Sequence, residues 1–174
     1  MEIVLSLHNI RSTYNVGAIM RTAEGFGVKK LICSGYTPCV KKPGVLPHLA
    51  DKLNRQIHKT ALGAEEMLQI EYSEDIISEL ENYQKAGFTI VGLENNIREQ
   101  TILLNDLPAL KKLGNKILLV LGEEVNGIPD TLKPQIAKYL EIPMEGQKES
   151  FNVSIAAGIA LFTLATLRWP DFIL

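Results

Sequence analysis

Ile142-Pro143-Met144-Glu145-Gly146-Gln147-Lys148-Glu149-Ser150-Phe151-Asn152-Val153-Ser154 is the stretch on which the fold turns. A strand read at Tyr139–Ile142 enters it, and a helix from Ser150 to about Leu167 leaves it, joined by a loop that contains Gly146. Phe151–Leu167 is nearly apolar, but it is interrupted by Asn152, Ser154, Gly158, Thr163 and Thr166 and is short for a bilayer. It reads as a helix buried inside a protein. Ser150 is placed to cap that helix. Asn152 then falls in its first turn, where a buried amide needs partners.

The same alternation extends outward. Lys116–Leu121 is apolar throughout, the signature of a central strand covered on both faces. Glu2–Leu7, Lys30–Ser34, Gln69–Tyr72 and Phe88–Leu93 read as further strands. Between them, Asn15–Phe26 has Val16, Ile19, Met20, Ala23 and Phe26 at spacings of three and four, with Asn15 as N-cap and Gly27 as stop. Leu49–Glu66 is helical in part, and Ser73 caps a helix to about Ala86 with Glu74 and Asp75 in its first turn. A short helix is expected within Ile128–Ala137. Strands alternating with helices predict an α/β fold, a mostly parallel sheet with helices on both faces.

The chain has 174 residues, 46% apolar and 22% charged, with net charge −2 and an isoelectric point of about 5.9. These are values for one globular domain. A single domain over 1–174, with no amino-terminal RNA-binding extension, is expected because the first strand starts at Glu2. The net charge argues against a purely electrostatic nucleic-acid binder, yet the charges are segregated. Lys41, Lys42, Lys52, Arg55 and Lys59 face a single acid, Asp51, over residues 41–59, whereas residues 60–82 carry seven acids and no Lys or Arg. This reads either as a basic face or as two solvated surface stretches. Cys33 and Cys39 form neither a zinc set nor a redox pair and read as reduced thiols of a cytoplasmic protein. His8, His48 and His58 match no metal motif. Met1-Glu2-Ile3-Val4 has no basic segment before an apolar run, so no signal peptide is read.

Three segments carry polar or glycine residues that a plain fold does not require. The first is Asn15-Val16-Gly17-Ala18-Ile19-Met20-Arg21-Thr22, after the first strand. On a helical wheel with Val16 at zero, the apolar positions centre near about 330° and Arg21 lies near about 140°, facing either solvent or a site. The second is Gly122-Glu123-Glu124-Val125-Asn126-Gly127, directly after the most apolar strand. It is neither a dinucleotide fingerprint nor a phosphate loop, and a bland strand-to-helix turn is its alternative. The third is the stretch quoted first. Ligands of open α/β sheets gather at the carboxyl ends of strands, where all three segments lie.

Together the three segments resemble the motifs of the SPOUT superfamily, in particular its SpoU (TrmH-like) RNA ribose methyltransferases. Asn15 to Thr22 matches N-x-G-A-I-x-R-T. Gly122, Glu124 and Gly127 match G-x-E-x-x-G. Ile142 to Ser154 matches I-P-M-x-G-x-x-x-S-L-N-V-S, with Phe151 in place of Leu. The resemblance covers essentially the whole chain, in order and spacing. It departs at Thr13-Tyr14, where the family often carries Pro-Gly.

The resemblance implies a carboxy-terminal deep trefoil knot, S-adenosyl-L-methionine as cofactor, a homodimer through the knot and the last helix, and an RNA substrate, tRNA or rRNA. It implies no metal and no membrane. Arg21, Asn15, Glu124, Ser150 and Asn152 are its catalytic candidates. Leu121, Gly122, Glu124, Ile142, Met144, Ser150, Phe151 and Asn152 are its cofactor-binding candidates. Arg11, Lys41, Lys42, Lys52, Arg55 and Lys59 are the candidate RNA contacts, made through phosphates. A base methyltransferase of the same superfamily and a non-catalytic RNA-binding dimer are the alternatives. A nucleotide-dependent oxidoreductase is disfavoured because no G-x-G-x-x-G follows the first strand.

Overall fold

The computed structural model describes residues 1–40, 42–97 and 100–168. Among them run β1 (Glu2–His8), α1 (Thr13–Gly25), β2 (Lys30–Ser34), α2 (Pro47–Ala61), α3 (Ala64–Met67), β3 (Gln69–Ser73) and α4 (Ile76–Lys85). β4 (Thr89–Leu93), β5 (Thr101–Leu103), α5 (Leu107–Lys111), β6 (Lys116–Leu121), a 3₁₀ turn at Lys133–Gln135, β7 (Lys138–Glu141) and α6 (Val153–Thr166) follow. The strands form one sheet of order β3-β2-β1-β6-β4-β7-β5, and each pairing is parallel.

β6 occupies the middle of the sheet, as its composition predicts. Ile117 to Leu121 are at most 1% exposed, and each such side chain contributes about 1.5–3 kcal/mol by leaving water. The period of two divides them. Ile117, Leu119 and Leu121 join Ile3, Leu5 and Leu7 of β1 on one face, where α1, α2 and α6 pack. Leu118 and Val120 join Val4 on the other, under Ile76 and Leu80 of α4 and Leu132 and Ile136 beside the 3₁₀ turn. Helices therefore cover both faces. Cys33 and Cys39 are buried and unbridged, and no helix among the described residues is long and apolar enough to cross a membrane.

The helix starts differ from their expected positions. Ser12, not Asn15, caps α1, its hydroxyl accepting from the Asn15 amide at 3.2 Å. Asp75, not Ser73, caps α4 through the Ser78 amide at 3.1 Å, and Ser73 ends β3. Asn152, not Ser150, caps α6. In each case several residues that can cap stand close together, and the tertiary position of the preceding strand or loop selects among them. The segment Ile128–Ala137 makes only the 3₁₀ turn. β5 and α5 were not expected; a three-residue strand is too short to show a period, and α5 owes its start to Asp106, whose carboxylate accepts from the Ala109 amide at 3.1 Å.

α1 and α2 cross at Gly17, where a Cβ would overlap the Ile57 carbonyl and the Thr60 hydroxyl. Thr60 itself donates to the Tyr14 carbonyl at 2.9 Å, tying the two helices where they touch. The Gly17→Ala substitution should lower unfolding stability by about 1–3 kcal/mol through overpacking, read as a fall in the urea midpoint at unchanged slope.

Candidate functional site

The site forms where the carboxyl ends of β1, β4, β6 and β7 meet the amino-terminal turns of α1 and α6. Its frame is the turn after β6. The Glu123 amide donates to the Gly127 carbonyl at 3.1 Å, and the Gly127 amide returns the bond at 3.0 Å. A Cβ at Gly122 would strike the Gly127 carbonyl, so only glycine lets the turn close on itself. Gly127 is left-handed at φ 67°, with the Glu94 carboxylate in the space a side chain would take. Glu94 also accepts from the Ile128 amide at 2.9 Å, locking the turn to the end of β4.

Glu124 points from this turn to α1. Its carboxylate accepts from Asn15 Nδ2 at 3.1 Å and from the Arg11 amide at 3.4 Å. Asn15 Oδ1 in turn accepts from Asn152 Nδ2 at 3.3 Å. Because Ser12 does the capping, the Asn15 side chain is free for this role. Asn152 Oδ1 accepts from the Ser154 amide at 2.9 Å and the Ser154 hydroxyl at 2.6 Å. One residue from each of the three sequence segments is thus joined in a single chain of hydrogen bonds.

Beside that chain lies an open cleft of about 200 Å³. Of the candidate cofactor residues, Leu121, Gly122, Glu124, Ile142, Ser150 and Phe151 line it. Met144 and Asn152 do not. β7 stops at Glu141, so the strand alternation that would set Met144 beside Ile142 has ended. Asn152 is committed at both ends, to the α6 cap and to Asn15. The cleft also has a wall that sequence reasoning missed, Glu94, Asn95 and Asn96 after β4. Asn95 Oδ1 accepts from the Ile142 amide at 3.3 Å, and its Nδ2 donates to the carbonyls of Ile142 and Glu149, each at 3.4 Å. The signal was three polar residues directly after an apolar parallel strand.

The charge of the cleft is one-sided. Glu94, Glu123, Glu124 and Glu149 line it, and no Lys, Arg or His is among its lining residues. Such a site favours a cationic ligand and opposes a phosphate-bearing one. Glu123 faces the other way as well. Its carboxylate accepts from the Tyr36 hydroxyl and Asn126 Nδ2 and pairs with Arg11 at 3.5 Å. These partners, Tyr36 foremost, hold it below the usual carboxylate range.

Arg21 is exposed on α1, about 9 Å along the helix axis from Asn15. Among the described residues no hydrogen bond or ion pair ties it to Asn15, Glu124 or Asn152. It stands one turn beyond Gly17, on the side where α2 crosses. Lys52, Arg55 and Lys59 are exposed on α2 at spacings that share one face. Lys42 lies over the Tyr72 ring at 4.4 Å. Lys41 falls outside the described residues.

A model of the SpoU rRNA Methylase family matches residues 2–162. The 23S rRNA (guanosine-2'-O-)-methyltransferase RlmB of Xylella fastidiosa is 31% identical over 166 residues, 95% of this chain and 59% of that protein. The chain spans about three-fifths of the length of most of the curated relatives it matches. The A. aeolicus TrmH/SpoU tRNA modifying enzyme superposes with a TM-score of 0.76 at 23% identity, over 96% of this chain and 75% of the other. The SpoU methyltransferase AviRb from Streptomyces viridochromogenes, solved with AdoMet, gives 0.76 at 20% identity, over 97% of this chain and 58% of the other. At these identities the two structures establish a shared fold.

The two duties of Asn152 separate by substitution. Asn152→Ala should cost about 1 kcal/mol of stability from the lost α6 cap. Asn152→Asp keeps the capping oxygen, so its urea midpoint should stay close to that of the parent, while the donor to Asn15 is lost.

Proposed function

The chain belongs to the SpoU rRNA Methylase family, and on that premise we propose that it transfers the methyl group of S-adenosyl-L-methionine to a ribose 2′-hydroxyl of RNA. The observation that carries this reading is the Glu124–Asn15–Asn152 chain bordering a cleft lined by glutamates. Those carboxylates suit the positive sulfonium and ammonium groups of that cofactor and oppose a nicotinamide dinucleotide or a nucleoside triphosphate. Backbone groups near Leu121, Gly122 and Ile142 would hold an adenine ring, with the exposed Phe151 offering apolar surface beside them. At about 200 Å³ the cleft is smaller than a common ligand pocket of roughly 300–1,000 Å³, so its open mouth must take the rest of the molecule.

The cofactor, when bound, supplies an electrophilic methyl. The residues of the chain must align the hydroxyl and manage its proton. Arg21 is protonated at any working pH and is no base. Its role is to bind the RNA phosphate and stabilise the developing alkoxide, with the substrate's own phosphate accepting the proton. Asn15 and Asn152 orient the ribose, and Glu124 fixes Asn15. Ser150, exposed at the cleft, would bond ribose or cofactor. In-line geometry is the main contribution of the protein. The RNA, tRNA or rRNA, would contact Arg11, Lys42 and the α2 stripe of Lys52, Arg55 and Lys59.

A homodimer, the knotted threading of the carboxy-terminal segment, one catalytic domain over 1–174 and a cytoplasmic location belong to the same proposal. Support for the dimer comes from α6, which is apolar on all sides yet leaves Ile155 55% exposed, and from Tyr14 at the start of α1, 50% exposed. Sedimentation should show a dimer; a monomer that retains full activity would remove this interface from the proposal. Arg21→Ala should abolish transfer of labelled methyl to bulk tRNA or 23S rRNA while calorimetry shows unchanged cofactor affinity. Unimpaired transfer by that variant would sink the catalytic assignment.

A further inference from the structure

We propose that Tyr36, flanked by Arg11 and held by Glu123, is a stacking platform for an unpaired nucleotide of the RNA next to the methylated ribose. The inference deepens the methyltransferase reading and rests on it. Tyr36 follows β2, and its side chain lies at the surface with the residue 46% exposed. It is nonetheless fixed from several directions. Its amide donates to Asn9 Oδ1 at 3.3 Å, and its hydroxyl donates to Glu123. Gly35, just before it, is left-handed at φ 64° with its Cβ position filled by Asn9. The Gly35 carbonyl accepts from the Tyr72 hydroxyl at 2.6 Å and from Lys42 Nζ at 3.2 Å. Ordering a large side chain costs entropy, and here burial offsets it only in part, because nearly half of the residue stays exposed. An exposed ring held rigid is suited to a flat ligand that arrives later.

The surroundings say which ligand. The Arg11 guanidinium sits 5.6 Å from the Tyr36 ring centroid and its side chain is 68% exposed. The Lys42–Tyr72 pair lies alongside, joined to Tyr36 through Gly35. An aromatic face interleaved with cations is what an unpaired nucleotide needs, the ring for the base and the cations for phosphate. Glu123 is the positioning residue. It holds the phenol and Arg11 together, while Glu124, its neighbour, holds Asn15. The Arg11 amide bonds to Glu124 at 3.4 Å. The platform and the Asn15–Asn152 pair therefore share one frame, which places the stacked base beside the reacting ribose.

The test uses the whole chain, a short fluorescein-labelled single-stranded RNA of mixed sequence, and S-adenosyl-L-methionine. In anisotropy titrations Tyr36→Leu should bind the RNA about tenfold more weakly, and Tyr36→Trp should recover most of that loss. In calorimetry both should bind the cofactor like the parent, and in transfer assays Leu should raise the KM for RNA with little change in kcat. Parent-like RNA binding by Leu, equal impairment in Leu and Trp, or no binding of the RNA by the parent overturns the proposal. If Leu also loses the cofactor, Arg11→Ala decides: the salt slope of RNA binding should fall by about one, and an unchanged slope overturns it. A parent that transfers no methyl, with the RNA affinities still ordered as stated, refutes the catalytic reading and leaves the platform standing.

Discussion

Glu124 accepts a hydrogen bond from the side-chain amide of Asn15, 109 positions away in sequence, and the amide oxygen of Asn15 in turn accepts from Asn152, 137 positions from Asn15. Such a chain closes only when the end of β6, the first turn of α1 and the first turn of α6 are already docked on the sheet. Glu123 and Glu124 leave the same turn in different directions, one toward Tyr36 and Arg11, the other toward Asn15. The turn therefore serves as a hub. Its glycines let it fold tightly, Glu94 locks it from β4, and its two carboxylates carry its position to Tyr36 and Arg11 on one side and to Asn15 on the other.

Close backbone approach accounts for the precision of the rest. Gly17 lets α2 rest directly on α1. Ala157 and Ala160 of α6 are fully buried on the same face of the sheet. Small residues at these crossings leave few rotamers to average over, so the helix starts that carry Asn15 and Asn152 sit on rigid supports.

A net charge of −2 conceals a division of labour. The cleft is lined by glutamates and no cation is among its lining residues, while Lys52, Arg55 and Lys59 form a stripe on α2. In the proposed reaction a cationic cofactor and an anionic polymer must approach the same few atoms from different sides. Opposite local charges meet that need, whereas a uniformly basic protein would repel the cofactor.

Much of this was legible in the sequence. The alternation of strand and helix and the centrality of Lys116–Leu121 follow from local pattern, because period is a local property, whereas Asn15, Gly122, Glu124, Ile142, Ser150 and Phe151 were singled out by the resemblance of their segments to family motifs. The caps were misassigned, since Ser12, Ser73, Asp75, Ser150 and Asn152 all have capping oxygens and only the docked strand and loop ends choose between them. Sequence pattern also left the wall of Glu94, Asn95 and Asn96 unread, because a polar tripeptide after a strand acquires meaning only when β4 is known to lie between β6 and β7. The Tyr36–Glu123–Arg11 arrangement had no linear signature at all. Sequence by itself determined which chemistry was present and on which elements. Tertiary structure alone decided which of those groups touch, because contact between residues a hundred positions apart depends on strand order and helix docking, and neither is written in any local window.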